Sequence, residues 1–385
     1  EGFATGSLLV AALPPVVRTY PANKLPITAA AIDVGFFGAV TIGPLAGALV
    51  GEGSRWRLLH TAMAAFSALV LVVAWLSLPD KEAQNKDMAF DWPAITLAFA
   101  ATMLPFAATA LLDSRGFGSP LVIVGLVAGL GCLVTLLMTE YAKDDPLSPV
   151  KPMWNTLPVV GVIVAMVGGG VYVAVVRLIE QFGLDVSHLS PAATGAAFWP
   201  TVLATIVASV IVGVAVKSRA LAVVTAIGMI TLIAGTALFL SLPRVDGVRA
   251  GIANGLLGFG AGTTVSPGLW LAAFTLPSKM VGRTLALIEL VRSEADFIIA
   301  PVVLHLARSS TQVTPSGLHV ALTICLSVAA VGTVAAAGLY VAGLRTLETP
   351  ALAKWLDGND GALQSTPLLA RLRGIAAVSR QAPVG

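Results

Sequence analysis

Four ionisable residues stand within eight positions of one apolar stretch, Val281 to Pro301: Glu289, Arg292, Glu294 and Asp296. At helical spacing Glu289, Arg292 and Asp296 fall at i, i+3 and i+7 on one face, and Glu294 points away. A charge at the centre of a membrane helix costs roughly 2.5–3.5 kcal/mol on insertion scales, so such groups face a cavity or one another. Two readings follow: a polar, water-accessible site inside a helical bundle, or a cluster paired only for structure. A surface helix of a soluble protein is excluded by the apolar runs of spanning length on both sides. A carboxyl group in such a setting can take a proton from one side and release it to the other. Arg292 holds the charged form while it is paired, so exchange of its partner is a candidate switch. Glu289 and Asp296 are the first candidates for proton or substrate coupling.

Other polar positions compete. Asp33 lies in an earlier apolar run, and a helical projection puts it within about 20° of Pro44, facing the same cavity or held in a structural contact. Arg177 and Glu180, one turn apart, are either a simple i, i+3 pair or substrate contacts. Phe198 and Trp199 before Pro200 read as packing more readily than as a stacking wall. His60, His188, His305 and His319 show no metal-ligand spacing, and HExxH, GxSxG, a Walker A loop and CxxC are all missing from the sequence. The Gly258-Gly260-Gly262 run follows no strand, so it reads as close helix packing and not as a nucleotide loop. Neither cofactor nor metal is expected, and the chain does not read as an enzyme.

The elements that must position these groups are helices. With 57% hydrophobic and 11% charged residues, 38 Gly and 23 Pro, the composition is that of a polytopic all-α membrane protein. The mean hydropathy is +0.89. Cys132 and Cys325 both sit in apolar runs, so no disulfide framework is implied. About 11 spans are predicted, at roughly 2–17, 25–50, 56–78, 92–112, 120–140, 157–182, 191–216, 220–242, 248–275, 281–306 and 317–342. The polar joints Pro79–Asp91 and Tyr141–Asn155 divide the chain into 1–78, 79–152 and 153–344, followed by a tail, 345–385. Arg18, Lys24, Lys81, Lys86, Lys143, Lys151, Lys217, Arg219, Lys279, Arg283 and five tail residues (Arg345, Lys354, Arg371, Arg373, Arg380) fall on one side. Arg55, Arg57, Arg115, Arg244, Arg249 and Arg308 fall on the other. The richer side is expected to be cytoplasmic. In the tail, Leu368, Leu369, Leu372 and Ile375 share an arc flanked by Arg371 and Arg373. That predicts a short amphipathic helix on the inner leaflet or a disordered stretch, dispensable beyond Pro350 either way.

The second span carries Ala39-x3-Gly43-Pro44-x2-Gly47-Ala48, with Ala30 nine residues before Ala39. Small residues at fourth positions allow close helix approach, and Pro44 bends the axis. This pattern resembles the antiporter signature of the major facilitator superfamily, with alanine at three positions (30, 39 and 48) that are usually glycine. Arg55-Trp56-Arg57, Asp91-Trp92, Ser190-Pro191-x3-Gly195-x4-Pro200, the glycine run with Pro267 and Leu276-Pro277, Gly282 with Arg292, and the basic loop Gly213-x3-Lys217-x-Arg219 continue the likeness in order. The chain is identified as a member of the fourteen-helix drug:proton antiporter type of that superfamily.

The resemblance implies a partial N-terminal bundle (1–78), two central linker helices (79–152), a six-helix C-terminal bundle (153–344) and a cytoplasmic tail. Aligned this way, Glu1-Gly2 falls at the family's fourth helix, so the first three helices are expected to lie outside this sequence. The implied activity is proton-coupled export of a small amphiphilic, drug-like compound by alternating access across a bacterial inner membrane. The implied partners are a small-molecule substrate, protons and the lipid bilayer, with no nucleic acid; a periplasmic adaptor is left open. Glu294 and Asp296 stand where the family has small residues, so Arg292 carries over and the acids are particular to this chain. The alternatives are uptake of an organic anion on Arg292 and Arg177, or an inactive truncated membrane fragment.

Overall fold

The computed structural model describes residues 13–50, 56–77, 90–243, 247–309, 312–343 and 347–372. The first predicted span up to residue 12, Arg55, most of the first polar joint with Lys81 and Lys86, Arg244, Arg345 and the tail beyond Leu372 lie outside the described residues. The rest is a succession of helices: α1 Leu25–Val50, α2 Trp56–Ser77, α3 Trp92–Ala110, α4 Pro120–Ala142, α5 Thr156–Asp185, α6 Trp199–Ala215, α7 Ala220–Leu240, α8 Gly247–Gly262, α9 Val265–Ala273, α10 Val281–Ala307 and α11 Pro315–Gly343. Among the described residues only Arg308–Ser309 and Gln312–Val313 pair as strands, in a small hairpin between α10 and α11.

Eight helical spans are long and apolar enough to cross a membrane: α1 to α5, α7, α11, and Pro191–Ala215, which joins the short helix Pro191–Ala196 to α6. The chain is an all-α, multi-pass membrane protein. Two predicted spans differ in kind. The run 248–275 is not one helix but two, α8 and α9, interrupted at Thr263 and Thr264. The run 281–306 is one continuous helix, α10, whose charges keep it out of the apolar class.

Where lipid replaces water, apolar side chains gain little by touching each other, and close contact through small residues holds helices together. α5 shows this most fully and is the axis of the molecule. It is buried along most of its length against α7, α8, α10 and α11. A Cβ on Gly161 would come within 2.4 Å of the Gly268 carbonyl on α9, and one on Gly168 within 2.3 Å of the Thr264 hydroxyl. The expected close-packing role of the 258–262 glycines holds: added Cβ atoms would meet Thr201, Leu232 and Ala208 at 2.5, 2.7 and 2.8 Å. α3 and α4 form a hairpin, with Gly129 set against the Pro105 ring. Asp91 caps α3 by accepting from the Ala94 amide at 3.2 Å and pairs with Lys143. Lys143 also donates to the buried Glu140 at 2.6 Å. α2 buries no residue against the described chain, and its Leu71, Trp75 and Leu76 stand exposed.

The tail departs from expectation. Residues 347–372 are neither an amphipathic helix nor a loose end; they form a strap under the helix ends. Trp355 is fully buried, donates its indole N–H to the Leu276 carbonyl at 2.8 Å, and meets the Phe274 ring edge-on at 4.9 Å. The Leu363 amide bonds the Phe274 carbonyl, and the Thr366 carbonyl accepts from the Thr156 amide. Leu369 takes a left-handed φ of 58°, and Leu372 is exposed, so the predicted arc of leucines never forms. The physical reason is local. Backbone groups freed by the break after α9 need partners, and the strap supplies them. The same apolar cluster gathers Val17, Leu25, Val216, Leu221 and Val281, so the helix ends beside Arg18, Lys24, Lys217 and Lys279 meet at one end with the tail. Arg308 sits at the opposite end, paired with Asp113.

Candidate functional site

α10 brings Glu289, Arg292 and Asp296 together as its spacing predicts. Arg292 donates to Glu289 Oε2 through Nε at 2.9 Å and Nη2 at 2.7 Å, and to Asp296 Oδ2 through Nη1 at 2.5 Å. The three side chains are only 15–16% exposed. They have room because α5 offers glycine opposite. A Cβ on Gly169 would lie 3.2 Å from Arg292 Nη1 and 3.4 Å from Asp296 Oδ1, while neighbouring Gly170 receives Ile299 and Ala295. Asp296 Oδ1 is buried and accepts no hydrogen bond among the described residues. Glu294 points away from the triad and is itself buried, at 4% exposure, with both oxygens unpartnered among the described residues.

Asp33 on α1 is not part of that cluster, and it lines neither of the cavities described below. It is buried, at 3% exposure, and accepts a 2.7 Å hydrogen bond on Oδ1 from Ser266 of α9, while Oδ2 has no partner among the described residues. Sequence reasoning missed Ser266. It follows directly on the Thr263–Thr264 break, and nothing in its neighbourhood except that helix interruption marks it.

Above Asp33, a groove of about 450 Å³ opens between α1 and α5. Gly43, Pro44 and Gly47 form one wall and Tyr172, Arg177, Glu180 and Gln181 the other. Arg177 donates to Glu180 at 3.0 Å, the expected i, i+3 pair, with the arginine 64% exposed. The signature helix works differently from its sequence reading. Gly43 and Gly47 meet nothing within 4 Å, so they keep the groove open and do not draw a helix close. The close approaches belong to Ala30 against Gly213 and to Ala48 with the Pro44 carbonyl against Gly195. Ala39 is exposed and lines no cavity described here. Phe198 is buried packing, as expected, whereas Trp199 is exposed at a separate rim with Pro200.

A second cavity of about 300 Å³ lies between α3, α5 and α10, lined by Phe106, Asp113, Arg177, Asp296 and Phe297 among others. Asp113 was not anticipated from the sequence. Its carboxylate pairs with Arg308 and takes His305 Nδ1 at 3.2 Å, tying the α3 end to α10. Among the described residues no group of three or more His, Cys, Asp or Glu could hold a metal ion.

No family model matches the chain. Over 170 residues it is 26% identical to an uncharacterised MFS-type transporter, YubD of Bacillus subtilis (strain 168), covering 44% of this chain and 33% of that protein. Over 275 residues it is 28% identical to the puromycin resistance protein pur8 of Streptomyces alboniger, covering 66% of this chain and 52% of that protein. The matched stretches thus span about a third and about half of these relatives' lengths. With eight helices long and apolar enough to cross a membrane, the chain is a multi-pass membrane protein, similar over part of its length to an MFS-type transporter and to a puromycin resistance protein.

Proposed function

We propose that the chain forms the transport path of a secondary transporter that exports a small amphiphilic compound in exchange for protons by alternating access. The observation that carries this reading is an asymmetry along the molecular axis. One half is open as the groove between α1 and α5. The other is closed by the Asp33–Ser266 bond and by the strap anchored at Trp355. A site accessible from one side and sealed toward the other is what rocking of two helical groups requires. The fourteen-helix arrangement, the three-part division into 1–78, 79–152 and 153–344, and residence in a bacterial inner membrane with the strap cytoplasmic belong to the same proposal. The Lys and Arg gathered at the strap end support that orientation.

The roles divide by geometry. Tyr172, Arg177, Glu180 and Gln181 face the groove and contact the substrate. Asp33 is the proton carrier, because its partner sits on another helical group and is lost when the two groups part. A carboxyl group whose hydrogen bond and exposure both change between states changes its proton affinity with them. Glu289, Arg292 and Asp296 all stand on one rigid helix, so their mutual distances survive such a motion. They form the charged lining of α10, with Asp296 toward the second cavity.

The relative named for puromycin resistance suggests puromycin as the first compound to try. In everted vesicles carrying the full-length protein, an inside-acid gradient should drive puromycin accumulation, and collapsing the gradient should abolish it. Accumulation that ignores the gradient would remove proton coupling from the proposal. The second reading, organic-anion uptake, draws on the exposed Arg177. Arg292 does not favour it, since both neighbouring acids already occupy its guanidinium. Gradient-driven entry of an anion into right-side-out vesicles would favour that reading.

A further inference from the structure

The strap is held unequally by the two parts of the chain that it touches. Among the described residues, every hydrogen bond it makes to another element goes to the part 153–344. At the start of α5, the Thr156 and Leu157 amides donate to the Thr366 carbonyl and to Ser365 Oγ, each at 2.9 Å. A helix start needs such acceptors, and Asn155 supplies no side-chain cap of its own. At the end of α11, the Val341 and Ala342 carbonyls accept from Arg371 and the Gly343 carbonyl accepts from Thr366 Oγ1. After α9, the Phe274 and Leu276 carbonyls accept from the Leu363 amide and the Trp355 indole. Three helix ends lose partners if the strap leaves them.

Toward residues 13–50 the contact is of another kind. The short helix Leu352–Leu356 packs on the turn Ala22–Lys24, and Leu352 and Trp355 share one apolar cluster with Val17 and Leu25. Arg18 reaches the strap near Gly358, where an added Cβ would lie 4.0 Å from Nη2. Among the described residues no hydrogen bond or ion pair joins the strap to 13–50. An apolar contact parts without stranding a polar group, whereas hydrogen-bonded helix ends do not.

We propose that the strap is a latch carried by the part 153–344, and that its apolar seam with the turn Ala22–Lys24 opens when the groove closes. Parting the seam exposes apolar side chains to water, so the closed latch favours the state in which the groove is open. The inference rests on alternating access and adds which contacts break, and which survive, as the two helical groups rock.

Lys24, Lys217 and Lys354 are exposed and suit spin labels. In the full-length protein with its native cysteines replaced, labels at Lys24→Cys and Lys354→Cys should give two distances by double electron–electron resonance across acid and alkaline pH. Labels at Lys217→Cys and Lys354→Cys, both within 153–344, should give one. A single distance across the seam, or two within 153–344, would overturn the latch. In everted vesicles, joining Ala22→Cys to Leu356→Cys with a short reducible bifunctional thiol reagent should stop puromycin flux until the bridge is reduced. A disulfide between Thr156→Cys and Thr366→Cys, whose hydroxyls lie 3.3 Å apart, should leave flux intact. Flux that survives the first bridge, or is lost with the second, would also overturn the latch. A seam that never parts while puromycin is still carried would remove the latch and leave the transport reading. A seam that parts without gradient-driven flux would support the latch and remove proton-driven export.

Discussion

Two buried acidic arrangements solve the same electrostatic problem in opposite ways. On α10, Arg292 holds Glu289 and Asp296 one turn below and one turn above itself, so all three ion-pair partners belong to a single helix. On α1, Asp33 finds its one partner among the described residues, Ser266, on a helix from a different part of the chain, 233 positions later. The first arrangement is indifferent to how helical groups move past each other. The second exists only while they touch. Burial and ionisable chemistry are therefore poor guides to a coupling role by themselves; what distinguishes these sites is whether the partner travels with the residue.

The largest expected effect breaks the α10 network. Arg292→Gln leaves two buried acids without their cation and should cost about 3–5 kcal/mol, seen as a lowered midpoint in thermal unfolding of the solubilised protein. Adding Glu289→Gln and Asp296→Asn should recover most of that loss. A silent Arg292→Gln would mean that the network is not a buried one.

Next comes the strap that seals the end nearer Asp33. Trp355→Ala removes a fully buried indole and its hydrogen bond and should cost about 3–5 kcal/mol. Truncation after Pro350 should act alike. Unchanged thermal unfolding in both variants would show that the strap is not part of the folded core.

Ser266→Ala sharpens the comparison at smaller cost. It removes one donor from Asp33 and should lower stability by about 1–2 kcal/mol while shifting the pH dependence of puromycin flux. Ser266→Thr, which keeps the hydroxyl, should restore the profile. A parallel loss of flux at every pH would instead mark Ser266 as structural only.

The smallest effect is expected at the surface tie of α3 and α4. The Lys143 hydrogen bond, then the Ala94 amide, hold the Asp91 carboxyl below its ordinary 3.8; the bonds to Asp91 and Glu140 hold Lys143 above its ordinary 10.5. The carboxylate's contribution is complete above pH 3.8 and fades as pH falls through its lowered value. The lysine's is complete below pH 10.5 and fades as pH rises through its raised value. Both groups are partly solvated, so Asp91→Asn should cost only about 0.5–1 kcal/mol, constant across neutral pH. A difference that varied between pH 6 and 8 would point to another group.

What was legible in the sequence follows the same division. Periodicity within one helix needs no tertiary information, so the faces of Glu289, Arg292 and Asp296, and the Arg177–Glu180 pair, could be read directly. Spanning length and hydropathy likewise marked eight helices that the structure forms. The Asp33 partner could not be read, because a 233-residue separation leaves no local trace. Nor could the break at Thr263–Thr264, where apolar composition continues through the interruption between α8 and α9. The strap was misread for a related reason. Its leucine spacing is helical, but hydrogen bonds to Phe274, Leu276 and Thr156 override that propensity. The signature glycines taught the converse, since a motif built for close packing leaves Gly43 and Gly47 facing open space.

The central claim is that the acid paired across helical groups, and not the triad on α10, couples transport to protons. It is tested most directly by inside-acid-driven puromycin accumulation in everted vesicles, compared between Asp33→Asn and the Glu289→Gln/Asp296→Asn double variant at equal folded protein. The account predicts that Asp33→Asn loses gradient-driven accumulation yet retains puromycin counterflow, while the double variant keeps gradient-driven accumulation. Full proton-driven accumulation in Asp33→Asn, together with its loss in the double variant, would contradict it.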